Sequence, residues 1–207
     1  VVLRDTGEPL ASAPSEPAVR LGVIGAGLYA TSTLLPALRG IDGIERVGIA
    51  SAGGLSARST GDRFGFRYCT TDAAEILEDV AVNTVAILTR HNRHATEVLR
   101  ALGAGKHVVV EKPLCLTAEE LAEIVAAYRA LADAGAPPML MVGYNRRFAP
   151  MVAELKRHLA AIQEPLYVHC TANAGYLPAD HWTQDPQVGG GRLLGEGCHF
   201  IDLALHL

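Results

Sequence analysis

Residues 20–30 read RLGVIGAGLYA: a short apolar run meets Gly25-Ala26-Gly27-Leu28-Tyr29-Ala30 and passes directly into an apolar helical pattern. This is G-x-G-x-x-A at a strand-to-helix turn. Gly25 permits the tight turn, Gly27 lets a pyrophosphate approach the backbone, and Ala30 keeps the helix close to the sheet. The start of the helix adds free N–H groups and partial positive charge for the phosphates. The stretch therefore predicts a dinucleotide-binding turn that opens an α/β fold.

Outward from that turn the alternation repeats. Apolar runs at 46–50, 67–69, 84–88, 107–110 and 139–142 lack polar alternation, and helical patterns fall around them at 28–39, 55–64, 72–77, 93–102 and 117–133. Thr71 is placed to cap the helix at 72–77, and Thr117 with Glu120 three residues on forms a capping box. Such strands separated by helices predict a parallel sheet covered on both faces, a doubly wound α/β domain over 19–147. Beyond Arg147 the pattern changes: 149–162 reads as helix, 166–173 (LYVHCTAN) as an antiparallel strand, 175–191 as a loop and 193–207 as an apolar helix. Residues 148–207 thus read as the N-terminal part of a second α/β domain. Residues 1–18, rich in Pro, Ser and Ala, read as a tail or linker.

Composition excludes several other classes. The chain has 207 residues, 49% hydrophobic and 19% charged, which is globular. With 18 Lys+Arg against 22 Asp+Glu the net charge is −4, so nothing draws it to nucleic acid or an anionic membrane. No apolar run approaches the ~18 residues a bilayer demands, and residues 1–19 offer charges and prolines where a signal peptide needs an apolar stretch. Cys69, Cys115, Cys170 and Cys198 are far apart with no C-x-x-C, so they read as scattered thiols of a reduced, cytoplasmic protein.

Three further patterns bear on chemistry. The second strand ends Ile49-Ala50-Ser51-Ala52-Gly53, without the acid that holds a ribose 2′-hydroxyl. Ser51 leaves room for a 2′-phosphate, which Arg58 or Arg63 would meet, and this tilts the cofactor toward NADP over NAD. Glu111-Lys112-Pro113 follows the strand at 107–110, in the crevice at the carboxyl edge of the sheet. Lys112 there could exchange a proton with a substrate hydroxyl, although by pattern alone it reads equally as a surface lysine. A cis Lys112–Pro113 bond would suit that exit. Finally, Glu196, His199, Asp202 and His206 share one helical stripe, but no second ligand cluster pairs with it, so no metal is expected.

In order along 20–207, the G-x-G-x-x-A turn, the run Thr89-Arg90-His91 to His94, AGKHVVVEKP (104–113), Gly143-Tyr144-Asn145-Arg146-Arg147-Phe148 and the glycine-triplet helix GGGRLL with His199 and Asp202 resemble the glucose–fructose oxidoreductase / inositol dehydrogenase family, Gfo/Idh/MocA. The resemblance implies an NAD(P)-binding Rossmann domain, then a substrate domain with an open sheet, and oxidation or reduction of a sugar, cyclitol or related polyol. It implies Lys112 and His199 as the proton-handling pair. Cofactor contacts are implied at Gly25, Ala26, Gly27, Leu28, Tyr29, Ala30, Ser51, Thr89, Arg90, His91, His94, Glu111 and Lys112. Arg147, Trp182 and Glu196 fall on the substrate side.

Three departures stand against the pattern. Many members carry an aspartate four residues before the helix histidine; here that position is Gly195, with Glu196 next to it. The family's Thr-Pro-Asn reads Thr89-Arg90-His91. Its substrate domain also continues further, so the second domain reads as incomplete, with the apolar helix 193–207 to be covered by another copy or by further residues. The wording of 180–207, with SAGGLSARS at 51–59, is similar to a subgroup in which this module follows a zinc-type alcohol dehydrogenase-like module. A homo-oligomer or a fused module is therefore the expected partner. Two functions follow: an oxidoreductase, favoured by Lys112 and His199, and a non-catalytic NAD(P)-binding module, favoured by Gly195.

Overall fold

The computed structural model describes residues 18–135 and 137–207, so the expected tail or linker at 1–18 lies, except for Ala18, outside the described residues. Strands β1 (Val19–Ile24), β2 (Ile44–Ala50), β3 (Tyr68–Thr70), β4 (Thr84–Ile87), β5 (His107–Val110) and β6 (Leu140–Val142) form one sheet in the order β3-β2-β1-β4-β5-β6. Every pairing is parallel. The sheet is apolar on both faces because both are covered. Ile24, Val47 and Val85 pack with Ile76, Leu102 and Ile124 on one side. Val23, Ile49 and Ala86 pack with Leu35 and Phe64 on the other. Each large side chain so buried contributes roughly 1.5–3 kcal/mol, which makes the sheet a rigid platform for the loops at its carboxyl edge.

The helices that cover it are α2 (Gly54–Phe64), α3 (Ala73–Glu78), α4 (His94–Gly103) and α5 (Ala118–Asp133), joined by a helical segment α1 after β1. α5 opens on the expected capping box of Thr117 and Glu120. α3 does not start as expected: Asp72, not Thr71, is its cap, and its carboxylate accepts from Ala74 N at 2.8 Å. Segment α1 is not a plain α-helix. It runs through a π-helical turn, Ala30–Leu34, into Leu35–Ala37 and a 3-10 turn Leu38–Gly40. Pro36 has no N–H to give Ser32, and the Leu35 N–H goes back five residues to the Ala30 carbonyl.

After β6 come a 3-10 turn (Asn145–Phe148), α6 (Pro150–Leu159), a 3-10 turn (Trp182–Gln184), a π-helical turn (Leu193–Gly197) and α7 (Cys198–His206). The expected strand at 166–173 does not form: these residues are exposed and pair with no strand among the described residues. Alternation decides only which face of a strand would be buried; a ladder also needs a neighbouring strand to bond. No helix among the described residues is long and apolar enough to cross a membrane.

Candidate active site

In a sheet of this order the connections leave β1 and β4 in opposite directions, and a crevice opens between them at the carboxyl edge. There lies a cavity of about 1160 Å³, lined among others by Gly25, Gly27, Ser51, Thr89, Lys112, Trp182 and Glu196. Loop backbones are pinned across it: Gly25 N–H donates to Ala50 O (2.8 Å), Leu88 N–H to Ile24 O (2.8 Å), and Glu111 N–H to Ile87 O (3.0 Å).

The glycine turn has the form that a dinucleotide requires. Gly25 adopts φ +111°, and a Cβ there would stand 2.6 Å from the Leu88 carbonyl, so β1 and β4 approach as closely as a bare residue allows. A Cβ on Gly27 would meet nothing within 4 Å, which leaves the side of the turn open for phosphates. Ala30 is fully buried beneath the turn rather than lining the cavity, while Ala26, Leu28 and Tyr29 line it. Tyr29 sits against Glu111: burial, then that carboxyl, raises the phenol pKa, and burial raises Glu111 as well. These residues fit an NAD(P) group. Ser51 lies at the other end, its Oγ 2.9 Å from Ser56 Oγ. The expected arginines do not join it: Arg58 pairs with Asp62 at 2.8 Å on the exposed face of α2, and Arg63 lies over the Phe64 ring at 5.0 Å. Helical spacing turns both away from the crevice.

Lys112 leaves β5 through a cis Lys112–Pro113 peptide and points into the crevice. Its Nζ donates to Gly195 O at 2.6 Å and stands 3.8 Å from Glu196 Oε1. Glu196 is shared with Arg146, whose Nη2 is 3.5 Å from Oε2 and whose guanidinium lies over Phe200. The structure thus joins Lys112 and Glu196 directly. It places Arg147 elsewhere: both sides of its guanidinium bind Asp202, and it does not line the cavity. Arg146 and Arg147, neighbours in the 3-10 turn at Asn145–Phe148, take different acids, Glu196 and Asp202, and neither lines the cavity. The Glu196–His206 stripe is likewise dispersed onto cations, Glu196 to Lys112 and Arg146, Asp202 to Arg147, and His206 beside Lys156.

His199 is one helical turn beyond Gly195. It is buried, does not line the cavity, and its Nδ1 has no hydrogen-bond partner among the described residues. Burial, then Lys112 and Arg146, lower its pKa.

The run after β4 closes the other wall. Arg90 lies over Trp182, 5.6 Å from the ring centroid, and Trp182 meets His91 edge-on at 4.9 Å. His91 Nδ1 is 2.8 Å from Gly189 O, and Asn92 N–H donates to Val188 O at 3.1 Å, so this wall is stapled to the loop before α7. His94 has no exposed surface. Its Nδ1 stands 2.6 Å from Pro113 O and its Nε2 3.1 Å from Thr89 O. It therefore ties together the Thr89 and Pro113 backbones at the wall of the crevice.

Burial lowers the pKa of His91, His94 and His199 below the usual 6.5. The unfolded chain then takes up protons near pH 6.5 that the folded chain refuses. This stability is complete above that pH and is lost as the pH falls below it toward the depressed values. Glu111, raised above 4.5, works in the opposite sense, losing stability as pH rises through its folded value. The loss from the three histidines falls between pH 7 and 5, so the melting temperature is expected to fall over that range, by about 2–4 °C per kcal/mol lost at this chain size. Thermal melts across that range in one buffer series check this; a flat or rising Tm contradicts it.

Residues 19–135 match the family model GFO_IDH_MocA, described as an oxidoreductase family with an NAD-binding Rossmann fold. Inositol 2-dehydrogenase 2 of Saccharopolyspora erythraea is 31% identical over 190 residues, covering 90% of this chain and 52% of that protein. Among solved structures, levoglucosan dehydrogenase in complex with NADH superposes with TM-score 0.74 at 28% identity, over 91% of this chain and 53% of that one. A 3-ketoreductase from Actinomadura kijaniata, in complex with NADP and TDP-benzene, gives 0.69 at 27% identity, over 90% and 56%. The chain spans about half or less of the length of curated relatives that it matches.

Proposed function

Because this chain belongs to the GFO_IDH_MocA oxidoreductase family and carries its NAD-binding Rossmann fold, we propose that it works as an NAD(P)-dependent oxidoreductase on a CH–OH group of a sugar, cyclitol or related polyol. The observation that carries the reading is Lys112, aimed into the dinucleotide crevice with its Nζ 2.6 Å from Gly195 O and with Glu196 beside it. When bound, the nicotinamide supplies the hydride chemistry. The chain's own residues hold the dinucleotide and move the proton. The turn at Gly25–Tyr29 offers N–H groups to the phosphates, and Thr89, Arg90 and Glu111 line the crevice toward Lys112. Lys112 Nζ exchanges the hydroxyl proton, and Glu196 balances its charge. His199, one turn beyond Gly195, does not line the crevice and takes no part in this step. In this division residues 19–147 hold the cofactor, and 148–207 bring Trp182 and Glu196 to the substrate side.

The experiment is a calorimetric titration with NAD⁺, NADP⁺, NADH and NADPH, followed by a polyol panel with the better oxidised cofactor. Binding of none of the four overturns the reading. NADP(H) is expected to bind at least as well as NAD(H), because no carboxylate follows β2 at Ser51. Ser51→Asp should then move the preference toward NAD by about tenfold or more. The new carboxylate repels a 2′-phosphate and accepts from a free 2′-hydroxyl, a charged hydrogen bond worth roughly 1.5–3 kcal/mol. Unchanged selectivity in S51D contradicts this placement.

A further inference from the structure

Beside Lys112 the crevice holds a second histidine for which the reaction above has no task. His91 is 7% exposed and lines the cavity. Its Nδ1 faces the Gly189 carbonyl at 2.8 Å. A carbonyl only accepts, so Nδ1 carries the proton and Nε2 the lone pair. Nε2 has no partner among the described residues, yet it is not one of the sealed unpartnered atoms, which are Arg46 Nε and His199 Nδ1. It therefore keeps accessible surface. His199, by contrast, does not line the cavity.

The ring is also fitted to its neighbour. A Cβ on Gly195 would stand 3.3 Å from His91 Cε1, closer than side chains pack comfortably. An acid at 195, as the family pattern has it, would need the space that the imidazole fills. Lys112 reaches the same residue through its carbonyl. His91 and Lys112 thus flank one bare position.

We propose that His91 Nε2 is the hydrogen-bond acceptor for a hydroxyl of an uncharged polyol bound beside Lys112, supplied from the Rossmann side of the crevice where Gly195 leaves room. The proposal rests on the polyol reading above. A hydroxyl oxygen between the two side chains accepts from Nζ and donates to Nε2, so both its capacities are met. A carboxylate has no hydrogen to donate to Nε2, so the pair selects O–H groups. Burial, with His94 and Lys112, holds the ring neutral, against the Gly189 carbonyl and Glu196.

Side-chain nitrogen NMR of the full chain saturated with NADH, titrated with levoglucosan and with myo-inositol, tests this without turnover. His91 is expected as the Nδ1–H tautomer near neutral pH, with its Nε2 resonance moving as polyol binds. His91→Asn keeps an N–H for Gly189 O; with NADH held at saturation, polyol affinity should fall about tenfold, the worth of one hydrogen bond. An Nε2–H tautomer overturns the proposal, as does wild-type polyol affinity in H91N. If H91N does not fold, the wild-type tautomer and titration decide. Polyol binding untouched by His91 leaves the functional reading standing, whereas no polyol binding to the NADH-loaded wild type overturns both.

Discussion

Lys112→Met is expected to lower polyol-dependent turnover by about 10²–10⁴-fold while leaving NADH and NADPH affinity close to wild type. Methionine matches the four-atom stem of lysine but carries no ammonium, so it has no proton to exchange and no donor. Lys112 reaches the crevice from β5 on a side chain only 17% exposed. The change also leaves Gly195 O without its donor, at a cost of about 1–3 kcal/mol, so the melt should shift modestly while the fold survives. Steady-state rates beside a dinucleotide titration separate the two effects. Wild-type turnover in K112M would remove Lys112 from the chemistry. Dinucleotide binding by the unaltered chain, with no turnover of any polyol, would instead support the non-catalytic binding module.

Gly25→Ala is expected to abolish dinucleotide binding and to destabilise the fold by about 2–4 kcal/mol, adding strain at a positive φ to overpacking. The added methyl would meet the carbonyl carbon and oxygen of Leu88 at 2.6 Å, and both are backbone. Relief would require β1 and β4 to part where Ile24 pairs with Ile87. Gly27→Ala is the control. Nothing lies within 4 Å of its Cβ position, so its stability should stay near wild type while affinity for the dinucleotide falls. Denaturant melts and NADH titrations of the pair check this; a G25A protein that melts like wild type would show that the turn is not tight.

Several sequence expectations carried through to the structure because they rest on local chemistry. The apolar strand runs, the Thr117–Glu120 capping box and the glycine turn are each decided within a few residues. Other expectations depended on direction. Arg58 and Arg63 were placed to meet a 2′-phosphate, but one pairs with Asp62 and the other stacks on Phe64. Arg147 was placed near substrate, but Asp202, 55 residues further along the chain, claims it. Neither outcome leaves a mark in spacing, because each depends on which way a turn faces a distant element. Thr71 and Asp72 are both good caps, and a single step of backbone decided between them.

The parallel α/β sheet, its order of strands and helices, and the phosphate turn follow from residues 19–142 alone, since period, burial on both faces and the needs of positive φ are short-range constraints. Which side chains meet at the crevice was settled only in three dimensions. His91 faces Gly189 and Gly195 about a hundred residues away, His94 lies between two carbonyls, and Lys112 finds its acceptor on the turn before α7. The segment 166–173 shows the same limit from the other side: its alternation was legible, but a strand exists only where another strand accepts its hydrogen bonds, and that partner is a property of the assembled fold.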